Sequence, residues 1–340
     1  MRHVFCRPAL FALALFLPGL ATADPLPDRD TLKFSQLPML ATPLPGGPTP
    51  PGFEIFRGHN ELSTAYGHID VTGAPPSEYR GVFMADDFAD RFSSPVVHVK
   101  WWGSYMNQQT PLQLPVPRFL ISFEEDIPAD PNDPNSFSRP GKPLLNQVVK
   151  RDPLFPGSGT FTEKPVGFSF ADGPTFEYNA ELHLDKDFRQ KPDTVYWLKI
   201  VALYDVPANV PQELLPQWGW HNRDYTIHNP LASVPPGVVP GENQQAPVGV
   251  PFPIWHFQDD AVTGLVQVLM DPRDPMSQIM PLVRQERHEP THYDGHWDGP
   301  SFIQRFSKDL AFELYTIPEP AGMALAMLAM VGGMMAFRRK

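Results

Sequence analysis

One stretch of the chain has the residue types and spacing of a zinc site. His288-Glu289-Pro290-Thr291-His292 reads H-E-x-x-H, and its continuation through Gly295 to Asp298 reads H-E-x-x-H-x-x-G-x-x-D. In such a pattern two imidazoles and a third ligand hold Zn²⁺, and the glutamate activates the bound water. The geometry needs His288 and His292 on one face of a helix that starts well upstream. Pro290 would stand inside that helix at a cost of about 3 kcal/mol. Arg284-Gln285-Glu286-Arg287 offers no apolar face to bury, and no Met-turn follows in the body. The stretch therefore reads as a solvated loop. His288, His292 and Asp298 remain as candidate ligands for a weakly held transition metal.

Carboxylates and aromatics form the other constellations. Asp86-Asp87 and Asp259-Asp260 each adjoin a strand pattern, and residues 130–135 form an oxygen-rich Asp/Asn/Pro run. Calcium takes such ligands, so a structural Ca²⁺ stands beside the simpler reading of turn and strand-end capping. None of these runs has EF-hand spacing. Adjacent residues of a strand point to opposite faces, so an Asp-Asp pair in a regular strand cannot chelate as a unit. Trp101 and Trp197 read as core. Trp218, Trp220 and Trp255, with His221 and Trp297, fall in or near loops, where flat rings could stack on sugars. There is no G-x-S-x-G elbow, P-loop or G-x-G-x-x-G fingerprint, and no cysteine in the body for thiol catalysis.

The elements that must position these residues are short strands. The 340 residues include 43 Pro and 24 Gly, against an average proline usage of about 5%. Proline is excluded from helix interiors and central strands, yet 42% of the residues are hydrophobic and 12% aromatic, too much apolar surface to leave in water. Strand patterns recur at 79–88, 95–104, 118–124, 175–182, 194–204, 262–270 and 310–316. The run at 194–204 is apolar on both faces and predicts a central strand. Two proline-rich breaks, 128–156 and 230–253, read as long loops. The expectation is an all-β fold, an antiparallel jelly-roll-like β-sandwich spanning residues 53–316.

The two ends are of a different kind. Residues 1–23 read as a signal peptide: Arg2 and Arg7, an apolar run, then Ala21-Thr22-Ala23 before the cleavage point. Cys6, the one cysteine, would leave with it. Residues 24–52, with eight prolines, read as an extended leader. Residues 317–340 hold Pro318-Glu319-Pro320, an apolar stretch at 321–337 and Arg338-Arg339-Lys340. That stretch is long enough for a transmembrane helix, with its cations on the cytoplasmic side. Each end carries +2, so the −11 of the chain is −15 in the body, which argues against a nucleic-acid partner.

Pro-Glu-Pro, one hydrophobic span and a basic end together resemble the PEP-CTERM sorting signal. The resemblance implies processing at the motif by an exosortase, a membrane cysteine transpeptidase. It implies an inner-membrane anchor before processing, a surface or extracellular address after it, and an association with exopolysaccharide and biofilm. The body resembles an uncharacterised secreted bacterial domain found in PEP-CTERM proteins. The resemblance runs through Ala85-Asp86-Asp87-Phe88, Trp101-Trp102-Gly103-Ser104, Tyr196-Trp197-Leu198, Trp218-Gly219-Trp220 and Asp309-Leu310-Ala311-Phe312 in order. It implies architecture and no activity. The function expected is that of a non-enzymatic surface or matrix protein that binds polysaccharide. The alternative is a secreted hydrolase acting on glycan or peptide, with a metal in its site.

Overall fold

A computed structural model describes residues 31–41 and 54–317, apart from 71, 107–113, 134, 153, 155–156, 170–171, 185–187, 228–241, 246–253, 258–259, 294–295, 299–300, 304–305 and 308. Residues 1–23, read as a signal peptide, Pro318-Glu319-Pro320, the apolar stretch 321–337 and Arg338-Arg339-Lys340 lie outside the described residues. Among the described residues no helix is long and apolar enough to cross a membrane.

The fold is all-β. In chain order the first strands are β1 (Thr31–Gln36), β2 (Glu54–Phe56), β3 (Asn60–Leu62), β4 (Thr64–Ile69), β5 (Glu78–Phe88), β6 (His98–Tyr105) and β7 (Arg118–Ile127). Next come β8 (Arg139–Arg151), β9 (Thr160–Ser169), β10 (Gly173–Glu181), β11 (Tyr196–Pro207), β12 (Trp218–His221), β13 (Glu242–Gln245) and β14 (Ile254–Phe257). The last are β15 (Val262–Leu269), β16 (Leu282–Pro290), β17 (His292–Tyr293), β18 (His296–Asp298), β19 (Ser301–Ile303), β20 (Phe306–Ser307) and β21 (Phe312–Thr316). A short helix, α1 (Pro275–Ile279), starts at Asp274, whose carboxylate accepts from the Met276 N–H at 2.9 Å.

Most strands join one hydrogen-bonded ribbon in the order β1-β21-β6-β10-β9-β8-β7-β11-β4-β5-β15-β16, with β12 on β3 and β6 and β2 on β9. The pairing is mixed, not purely antiparallel, because β11–β4, β2–β9 and β8–β9 run parallel. The ribbon doubles back so that strands far apart in the order meet through their side chains. Phe34 of β1 lies 5.8 Å from Phe88 of β5, and Trp101 of β6 packs edge-on to Phe119 of β7 at 5.1 Å.

β11 divides the two larger cores. Its edges are taken by β7 on one side and by β5 and β4 on the other. Tyr196, Leu198, Ile200, Ala202, Tyr204 and Val206 enter the larger core, while Trp197, Val201 and Leu203 enter a second one behind it. This is the double-faced strand expected at 194–204. The second core is wrapped by β8-β7-β11-β5-β15-β16. Its outer strands are tied by Gln285 Nε2 donating to Gly141 O (2.9 Å) and Asn146 Nδ2 to Pro281 O (3.3 Å).

Two boundaries differ from expectation. Residues 31–41 are not leader: β1 pairs along β21, and Lys33 and Phe34 are fully buried. The body therefore begins before residue 53. The break at 128–156 is not one long loop either, because β8 runs through its middle. Pro140 and Pro143 are accommodated where its register against β7 is irregular.

Candidate functional site

The chemistry-bearing residues named from sequence do not meet in one place. Residues 282–290 form β16, paired antiparallel to β15. His288 is thus on a strand, His292 begins β17 and Asp298 ends β18. A helix carrying His288 and His292 on one face does not form, and the zinc-protease reading falls with it. The stretch is not an open loop either, because Val262 and Thr263 hold Pro290 and Glu289 in register. Among the described residues no three His, Cys, Asp or Glu side chains are placed to hold a metal ion.

Trp218 and Trp220 are corrected more sharply. Both are on β12 and fully buried. The Trp218 ring packs on Phe119 at 4.8 Å and its Nε1 donates to Tyr178 Oη at 3.1 Å; Trp220 Nε1 donates to Ala311 O at 2.9 Å. Neither can stack on a sugar. Trp255 is on the short strand β14.

The aspartates cap and pack. Asp130 Oδ1 accepts from Asn132 N (2.9 Å) and Asp133 Oδ1 from Asn135 N (2.9 Å), the geometry of Asx turns. Asp86 and Asp87 face opposite sides of β5, as the strand rule requires. Asp86 looks into the larger core, where its Oδ2 accepts from Leu310 N at 2.7 Å. Asp309 is also buried, with Arg223 Nη1 3.6 Å from its Oδ2. Burial pushes Asp86 up to about 7, and burial together with Asp86 raises Asp309.

The second core holds a polar group whose members, apart from His288, sequence reasoning passed over. Lys199 of β11 and Glu124 of β7 are both fully buried, with Nζ to Oε1 at 2.5 Å. They are diagonal neighbours, because Lys199 is opposite Ser122 in the ladder. The Ser122 hydroxyl donates to Glu124 Oε1 at 2.9 Å. Gln285 of β16 completes the set. Its Oε1 accepts from Lys199 Nζ, and its Nε2 donates to Glu124 Oε2 at 2.8 Å. The ammonium also lies 4.2 Å from the centre of the Phe83 ring. Burial lowers the Lys199 pKa and the Glu124 charge opposes that fall.

His288, a candidate ligand named from the sequence, is turned inward beside this group. The β15–β16 register slips between Thr263 and Leu265, so β16 carries an extra residue there. Arg287, at φ 55°, takes the left-handed conformation that L-residues avoid. The slip returns the inward face to His288, whose ring meets Phe83 edge-on at 5.7 Å. Its pKa is lowered by burial and by Lys199, with Glu124 opposing. Among the described residues its Nε2 has no hydrogen-bond partner.

One sequence signal could have found this group. Lys199 is the single charge inside a run apolar on both faces, and a charge there has to be paired indoors. Nothing comparable marks Gln285, whose neighbours Arg284, Glu286 and Arg287 disguise the alternation of β16.

No curated protein and no solved structure matches the chain. A family model covers most of the described body, from Lys33 in β1 to Thr263 in β15. The chain belongs to the DUF7901 family, a domain of unknown function, which its residues 33–263 match.

Proposed function

We propose that the protein is exported and sorted, and that its β body serves as a surface or matrix module rather than a catalyst. One observation carries this reading. Pro318-Glu319-Pro320, the apolar stretch 321–337 and Arg338-Arg339-Lys340 end a chain whose first 23 residues have signal-peptide grammar. The partners are then an exosortase, the inner membrane before processing, and exopolysaccharide outside. The body is proposed as a two-layer, jelly-roll-like sandwich. Support comes from ring contacts between strands distant in the ribbon, such as Phe119 of β7 with Tyr178 of β10 at 5.3 Å. Polysaccharide contact moves away from Trp218 and Trp220. A groove of about 350 Å³ lined by Tyr66, His68, Ser77, Glu78, Arg80 and Leu215 offers an aromatic ring beside polar groups, the mixture that sugars take.

Cell fractionation tests the sorting. Deleting residues 318–340 should change where the body is retained or released, while Arg338→Ala with Arg339→Ala should disturb anchoring before processing. Identical fractionation of the full chain and the deletion would overturn the proposal.

A further inference from the structure

Fully buried Lys199 and Glu124, with half-buried Gln285, have the parts of an amide exchange. They set an amine, a primary carboxamide and a carboxylate in mutual contact against an apolar core. One carboxylate spans both nitrogens, with Oε1 on the Lys199 amine (2.5 Å) and Oε2 on the Gln285 amide nitrogen (2.8 Å). The Lys199 nitrogen touches Gln285 Oε1, the atom bonded to the electrophilic Cδ. Gly141 O also accepts from Gln285 Nε2 at 2.9 Å, fixing the amide against the far strand. Phe83, Trp197, Val201 and Val266 belong to the surrounding cluster. They shield the Lys199 amine and the Glu124 carboxylate from water.

We propose that Lys199 and Gln285 join in an intramolecular isopeptide bond, with Glu124 as the catalytic acid–base. The carboxylate takes a proton from the ammonium it touches. The neutral amine attacks Gln285 Cδ and a C–N bond forms. Glu124 returns its proton to the amide nitrogen it already holds, and the old C–N bond breaks. Ammonia departs, carrying away one nitrogen. The proton still on the new linkage nitrogen beyond its amide hydrogen goes with it, so ammonium is released and Glu124 ends as the carboxylate it began. No oxidant, metal or nucleotide is required. The product would tie β11, the doubly paired strand, to β16, the end strand of the ribbon, across 86 residues of chain. It would give an exported body that has no cysteine a covalent brace of another kind.

Mass spectrometry of the purified protein, denatured, decides the matter. The expected mass is that of the processed chain less one ammonia. Trypsin should fail to cut after Lys199, and fragmentation should identify a branched peptide joining Lys199 to Gln285. Lys199→Arg and Glu124→Gln should each restore the full mass and abolish the branched peptide. The wild-type chain suffices if those variants do not fold: linear peptides from Lys199 and Gln285 in full yield, at full intact mass, overturn the bond. A branched peptide that persists in Glu124→Gln overturns the role given to Glu124.

Discussion

Trp218 is held on every side that a binding tryptophan would offer. Its ring has Phe119 at 4.8 Å and Tyr178 at 5.8 Å, both edge-on. Its backbone N–H donates to Thr64 Oγ1 at 2.9 Å, and its carbonyl accepts from that hydroxyl at 2.8 Å. Gly219 beside it lets β12 close down, since a Cβ there would stand 2.8 Å from the Asn60 Cβ. Trp-Gly-Trp among prolines looks like a loop because burial depends on partners far away in sequence, here Phe119 and Tyr178. Trp218→Ala should therefore cost about 3–5 kcal/mol of stability, read by urea unfolding. A loss below about 1 kcal/mol, the scale of exposed substitutions, would return the ring to the surface and revive the sugar-stacking role.

At the scale of elements, β16 shows what a spacing motif cannot convey. H-E-x-x-H counts residues but does not say whether they are wound or extended. Val283 and Gln285 face inward by strand alternation, and one inserted residue makes the next inward side chain His288 rather than Arg287. Neither the pairing with β15 nor the slip is written in local sequence. Prolines hid β8 for a related reason, because a bulged stretch tolerates Pro140 and Pro143 where a regular ladder would not. By contrast β5, β6, β7, β11 and β15 were legible, the first three and β15 from apolar strand patterns and β11 from a run apolar on both faces. The left-handed Arg287 gives a prediction that belongs to this element. Arg287→Gly should stabilise the fold by about 1 kcal/mol, because glycine adopts that conformation without the clash of a Cβ. Gly264→Ala on the facing strand should do the reverse, its Cβ falling 2.6 Å from Phe83 Cε1 and 2.9 Å from Glu286 O. Equal stability of Arg287→Gly and wild type in chemical denaturation would show that no strain is held at the bulge.

At the scale of the molecule, the acidic composition was legible and its consequence inside the fold was not. Buried groups, not the surface, set how stability follows pH. Asp86 rises from 3.8 to about 7 through burial, a shift on the order of 4 kcal/mol. Its folded form prefers the proton, so this contribution is complete below 3.8 and is lost as pH climbs through about 7. Asp309 is raised for the same reason and adds the same sign. His221 opposes them. Burial lowers it from 6.5 to about 4, so it favours the fold above 6.5 and withdraws on the order of 3 kcal/mol as pH falls to about 4. Between those limits Asp86 and Asp309, joined by Asp90, which burial also raises, outweigh His221 and His288, and the −15 body adds repulsion as its other acids ionise. The thermal midpoint of the wild type should thus fall as pH rises from about 4 toward 7. Asp86→Asn keeps a carbonyl for the Leu310 N–H but has no proton to lose. It also removes the charge that helps raise Asp309. In that variant the His221 contribution stands exposed, and the midpoint should flatten or climb over the same window. Calorimetric scans of the two proteins across this range give the sign directly. A wild-type midpoint that climbs with pH would mean that the Asp86 and Asp309 carboxyls are ionised in the folded core.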